Sequence, residues 1–174
     1  MGERRTVMEI EKVLFDAVVV FLVRDDEVLL ARKTSTIGAG LWNGYGGGVE
    51  SGETPEQATV RELIEESGIA AVEVHLKKVA YALLHNEKSD GTASMCNLHV
   101  YLLREWQGVP RETEEMLTPT WFPIAQLPLD EMMLADREWV PLMLEGKKAH
   151  VEAWYGPFQK TLLRPVLVQE VVVI

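Results

Sequence analysis

The chain changes its apolar period several times. From Val13 to Val23 it is β-branched and aromatic, and a second apolar run, Val28 to Ala31, follows the polar Arg24-Asp25-Asp26-Glu27. Two such runs about a polar tetrad predict a hairpin. From Ile37 to Gly52 the sequence is rich in glycine (Gly38, Gly40, Gly44, Gly46, Gly47, Gly48 and Gly52), so this backbone can make approaches that a side chain would block. The spacing then predicts a helix over Thr54 to Ser67. Thr54 can cap it, Pro55 suits its first position, Gln57 completes a capping box, and Gly68 sits where a helix stops. Val72 to Leu84 and Met95 to Arg104 are strand-like and flank a turn-forming stretch, Asn86 to Gly91. Thr120 to Phe122 predicts a short strand ending at Pro123, Asp136 to Glu145 a second helix stopped by Gly146, and Leu162 to Val173 a terminal strand. Strands with two helices separated along the chain imply a mixed sheet covered by helices, an α+β or α/β arrangement.

Composition narrows the partners. At 174 residues and 47% apolar content the chain suits one domain, residues 1–174, with one buried core. Seventeen Lys and Arg against 27 Asp and Glu give a net charge of −10, which argues against a nucleic-acid polymer as partner. A phosphorylated small molecule would need a cation between itself and this protein. Cys96 is the one cysteine, so no intramolecular disulfide or multi-cysteine metal site can form, and a reducing, cytoplasmic setting fits. No apolar run reaches the roughly 18 residues of a membrane span, and Met1 to Lys12 has no apolar signal core. Met1 to Thr6 satisfies the loose acylation pattern, with an acidic residue directly after the glycine.

The chemistry concentrates on the first predicted helix. Glu62, Glu65 and Glu66 are three and four residues apart, which puts them on one face. Like charges at this spacing destabilise a bare helix, and a hard divalent cation would remove the repulsion. Taken alone, Glu-x-x-Glu-Glu is most often a solvated face, with Arg61 and Glu65 forming an exposed pair.

The full spacing changes that balance. Gly47, Glu53, Arg61, Glu62, Leu63, Glu65, Glu66, Gly68 and Ile69 reproduce without departure the signature of the Nudix family, which this sequence therefore resembles. At average residue usage such a match has a chance on the order of 10⁻¹⁰. The resemblance implies an α/β/α sandwich with a mixed central sheet and a loop-helix-loop catalytic centre. It implies that Glu62, Glu65 and Glu66 hold magnesium, with manganese able to substitute, that Gly46 offers its carbonyl, and that Arg61 orients Glu53 or a neighbouring glutamate. Water would then attack a phosphorus of a phosphoanhydride. In similar enzymes an acidic residue outside the helix completes the metal site. Here Glu115 is preferred over Glu114, with a solvated loop pair the alternative.

A closer resemblance, from Gly38 to Gly47 and again from Trp121 to Leu142, is to MutT-like oxidised purine nucleoside triphosphatases of the 8-oxo-dGTP diphosphatase type. It implies a small nucleotide substrate, a monomer or weak homodimer, and a substrate set of Lys33, Trp42, Asn43, Asp136 and Trp139. Asn43 and Asp136 would hydrogen-bond the base, and the tryptophans would stack on it. Asn43 reads equally as a turn residue, and Trp42 and Trp139 as core packing. The sequence departs from those relatives at Ala135, Met133 and Ile37, where a second carboxyl and two aromatic faces are expected. That puts preference for 8-oxo-dGTP in question and leaves triphosphate hydrolysis untouched. Two rivals are another Nudix reaction, such as ADP-ribose cleavage, and a catalytically silent nucleotide-binding domain. The second is disfavoured because Glu53, Glu62, Glu65 and Glu66 are all present. No Gly-Lys-Ser/Thr phosphate loop exists.

Overall fold

The computed structural model describes residue 11 and residues 14–174. The acylation pattern at Met1 to Thr6 and the first residue of the predicted leading strand, Val13, lie outside the described residues.

The leading apolar run forms β1 (Asp16–Arg24), and the polar tetrad turns it into β2 (Glu27–Lys33). Why β1 is apolar at nearly every position becomes clear from its neighbours. Val18, Val20 and Leu22 enter one hydrophobic cluster, and Val19, Phe21 and Val23 enter another on the opposite face. A strand buried on both faces has no solvent side to mark with polar residues.

The first cluster is closed by α1 (Pro55–Ser67), through Ala58 and Leu63. The second is closed by α2 (Asp136–Leu144), through Trp139, Val140 and Met143. Helices on both faces of one sheet give the expected sandwich. The remaining strands are β3 (Trp42–Asn43), β4 (Tyr45–Gly48), β5 (Lys77–Glu87), β6 (Ala93–Leu103), β7 (Met116–Pro123), β8 (Lys148–Tyr155) and β9 (Leu167–Val171). Among the described residues they form one nine-stranded sheet in the order β3-β2-β1-β6-β5-β8-β9, with β4 also on β1 and β7 also on β2. The sheet is mixed, because β1 runs parallel to β6 and β5 parallel to β8 while the other pairs are antiparallel.

One edge of β1 is shared. Its C-terminal half pairs with β2 (Leu22 with Leu29) and its N-terminal half with β4 (Val19 with Gly46), so the sheet forks there. Two glycines make the fork possible. A Cβ on Gly46 would run into the Val18 carbonyl, and one on Gly47 would lie 2.5 Å from the Glu62 carboxylate. The capping of α1 is as predicted: Thr54 Oγ1 accepts the Gln57 N–H at 3.1 Å and Gln57 Oε1 accepts the Thr54 N–H at 3.0 Å. Gly68, at φ 74°, ends the helix in the left-handed conformation.

Several boundaries differ from the sequence reading. Residues 72–76 are not strand: Val72 and Val74 are exposed, Glu73–His75 makes a 3-10 turn, and β5 starts only at Lys77. The strand expected at Thr120 starts at Met116, with a bulge between Leu30 and Arg32 in its partner. The terminal strand shrinks to Leu167–Val171, and β8 lies in a stretch the patterning left unassigned.

Candidate active site

The fork in the sheet opens a cleft of about 550 Å³, floored by Ala17, Val18 and Val19 of β1. Its lining includes Gly46, Gly47 and Gly48 of β4, Glu62 and Glu66 of α1, and Lys33 and Glu115. Helical spacing brings Glu62 and Glu66 to this face together. Glu66 is only 5% exposed and stands where an amphipathic helix would carry an apolar residue. Its Oε2 accepts the Gly46 N–H at 2.9 Å. Burial pushes its carboxyl up to about 8, against the lowering effect of that bond, and the negative charges of Glu62 and Glu115 add to the rise. Burial likewise raises Glu62, with Arg61 opposing. Lys33 is lowered by burial, while the surrounding glutamates Glu66, Glu115 and Glu62 hold it up.

Arg61 organises the helix from the side. It grips Glu53 with both ends of its fork (Nε to Oε1 at 2.6 Å, Nη2 to Oε2 at 3.0 Å), and donates from Nη1 to Glu62 at 2.8 Å and Glu65 at 3.2 Å. It also reaches the Gly48 carbonyl at 3.0 Å. One guanidinium therefore ties the loop of Glu53, the strand of Gly48 and the helix together. Glu53 contacts Arg61 and the Glu50 N–H, and it does not line the cleft. Glu65 is half-exposed on Arg61 and also stays outside the cleft lining. The three crowded carboxylates thus separate into two that face the cleft and one drawn aside by Arg61. Among the described residues, no three acidic, histidine or cysteine side chains already stand at metal-holding spacing. Glu115 lines the cleft and Glu114 does not.

The cleft is lined further by Asn43, Met133 and Asp136, joined by Leu84, Cys96 and Tyr155. Burial pushes Asp136 up to about 7. The Tyr155 hydroxyl accepts the Ala135 N–H at 2.9 Å, and burial, with Asp136 beside it, pushes its own pKa up. The two tryptophans expected to stack on a base need correction. Trp139 is 1% exposed and packs edge-on against Phe21, and Trp42 is 8% exposed between Phe122 and the Arg32 guanidinium. Both are core residues and neither lines the cleft. The aliphatic and sulfur-bearing Ile37 and Met133 line it instead. Sequence reading missed Leu84, Asn86, Cys96, Tyr155 and Gln159, which reach the cleft from β5, β6, the end of β8 and the 3-10 turn Pro157–Gln159 that follows it. The alternation Ala149, Val151, Ala153, Tyr155 carried the signal for β8.

A model of the NUDIX domain matches residues 13–143. The chain is similar to the oxidized purine nucleoside triphosphate hydrolase of Danio rerio, 38% identical over 130 residues (74% of this chain, 79% of that protein). It is similar to the mouse (Mus musculus) protein of the same name, 37% identical over 129 residues (74% and 79%). The crystal structure of a MutT protein from Bacillus halodurans shares the fold, with a TM-score of 0.69 and 22% identity across 90% of this chain and 98% of that one.

Proposed function

The chain belongs to the NUDIX family of hydrolases, and from that premise we propose that it is a magnesium-dependent pyrophosphohydrolase. It converts a purine nucleoside triphosphate, oxidised purines included, to the monophosphate and pyrophosphate, and so sanitises a nucleotide pool. The observation that carries this reading is one cleft lined by both kinds of group: the carboxylates Glu62, Glu66 and Glu115, and Asn43 and Asp136, which are able to hydrogen-bond a base. The names of the relatives at 37–38% identity support the same substrate class.

The residues present suit a hard divalent cation. Glu62, Glu66 and Glu115 line one cleft, and burial, with the charge of Glu115 adding to it, raises the proton affinity of Glu62 and Glu66 against the pull of Arg61 and Lys33. Their donors are all oxygen, the set magnesium takes, and manganese accepts the same ligands. The Gly46 carbonyl would join them: its N–H points to Glu66, and in an antiparallel ladder a residue turns its N–H and C=O the same way. When bound, the ion supplies Lewis acidity toward the phosphate oxygens and toward water. Lys33 would contact the phosphates, and one of the cleft carboxylates would take the proton from the attacking water. Arg61 keeps Glu53, Glu62 and Glu65 in register and stays off the substrate. Ala135 brings no carboxyl, so Asp136 alone offers one to a base, and base selection extends beyond 8-oxo-dGTP.

We further assign a small-molecule substrate without nucleic-acid polymer, a monomer or weak homodimer, and a cytoplasmic location. Among the described residues no helix is long and apolar enough to cross a membrane. The reading is tested by incubating the protein with magnesium and a panel of dGTP, 8-oxo-dGTP, dATP, dCTP and ADP-ribose, measuring pyrophosphate, phosphate and nucleoside monophosphate separately. Pyrophosphate from the purine triphosphates is the expected product. Turnover confined to ADP-ribose would overturn the assignment.

A further inference from the structure

Three side-chain amides line the cleft: Asn43, Asn86 and Gln159. Asn86 is 4% exposed, and an amide so deeply placed needs its hydrogen bonds accounted for. Its Nδ2 donates to the Leu84 carbonyl at 3.0 Å, and its Oδ1 accepts from Gln159 Nε2 at 2.7 Å. This relay has a direction. A backbone carbonyl can only accept, so the NH₂ end of Asn86 must face Leu84, its oxygen must face Gln159, and Gln159 must answer with its own NH₂ end. Leu84 thus fixes which end of Gln159 is spent. Among the described residues, the Gln159 Oε1 and one N–H have no further partner.

The backbone is bent to put Gln159 there. Phe158 and Gln159 are consecutive non-glycine residues in the left-handed region, at φ 56° and 54°. Such conformations are costly for residues with a side chain, and they persist where neighbours enforce them, often at functional sites. Here the Glu11 carboxylate accepts the Phe158 N–H at 2.9 Å, and the Gln159 N–H returns to the Gly156 carbonyl at 3.0 Å. The turn delivers a side chain of fixed polarity to the cleft.

We propose that Gln159, aligned by Asn86, is a specificity-determining residue that reads the nucleotide base by accepting, at Oε1, a hydrogen bond from an exocyclic amino group or a ring N–H. The inference rests on the reading of the cleft as a nucleoside triphosphate site, and it names the feature of the base that the site selects.

Steady-state kinetics of Gln159→Leu and the near-isosteric Gln159→Met would test it, using dGTP, dITP, dATP and a deoxyribose triphosphate without a base. KM for dGTP should rise roughly tenfold, the scale of one lost hydrogen bond, with kcat little changed and KM for the base-less compound unmoved. A rise for dGTP but not dITP would identify the amino group as donor, and a rise for both would identify the ring N–H. Asn86→Ala, which releases the alignment, should shift the same substrates by less. An equal rise for the base-less triphosphate, or no change for any base, would overturn the proposal. Wild-type protein that releases pyrophosphate from none of these compounds would remove the underlying reading, and this inference with it.

Discussion

Glu66 occupies a helix position that packing alone would give to leucine or alanine, and its buried carboxyl holds a proton up to about pH 8. Replacing it by glutamine keeps the size and an oxygen to accept the Gly46 N–H, and it removes the charge. Glu66→Gln should therefore lower kcat more than tenfold, about 1.4 kcal/mol of barrier, and raise the metal-free Tm at pH 9. A variant that loses stability at that pH would contradict the account of its burial. Arg61→Ala should fail differently. It strands Glu53 and Glu62 without their partner, so roughly 2–3 kcal/mol of stability should go together with the rate, read by denaturant unfolding. The signature glutamates could be found in the sequence because helical spacing is local. The rest of the cleft could not, since Leu84, Asn86, Cys96 and Tyr155 come from strands that only long-range pairing brings together. Trp42 and Trp139 were open to misreading for a simpler reason: an indole that stacks on a ligand and one that fills a core are the same residue in a sequence.

At the level of elements, β4 is the unusual piece, a strand made largely of glycine and held against β1 and α1 by what its residues lack. Two conservative substitutions should separate its duties. Gly46→Ala sets a methyl against the Val18 carbonyl, where neither backbone can yield, and soluble, folded protein should be largely lost. Gly47→Ala meets only the tip of Glu62. That carboxylate can swing away, so the fold should survive by circular dichroism while kcat falls at least about tenfold. Equal outcomes for the two would mean that β4 is not the wedge described. The helix α1 was fully legible because its caps are chemical and local. Strand β4 was hidden because glycine carries no strand propensity, β3 because two residues, Trp42 and Asn43, make no period, and β8 because alanines at alternate buried positions make a faint pattern.

For the molecule as a whole, the pH response without metal follows from these buried acids. Glu66 and Asp136 hold protons in the folded protein up to about 8 and about 7, against 4.5 and 3.8 as ordinary values. Between those limits the folded state binds more protons than the unfolded one, so their contribution to stability falls as pH rises through the window. The lowered carboxyls, among them Glu53, Glu56 and Glu131, give stability that is lost only below the ordinary carboxylate range. In EDTA, Tm should decline from pH 5 to pH 9, and millimolar magnesium should flatten the decline while restoring turnover. A Tm that rises with pH in EDTA would show that these acids do not govern the response.

The forked pairing of β1 also bears on how the protein breathes. Three neighbours bond to this strand, and seven of its nine residues are buried, whereas the terminal strand β9 is bonded to β8 alone and largely exposed. In deuterated water the β9 amides should exchange first, through local fraying, and those of Ala17 to Leu22 only when the whole molecule opens. Because Ala17, Val18 and Val19 are the floor of the cleft, losing the pocket and losing the fold are a single event. A nucleotide arrives at a surface that is already assembled.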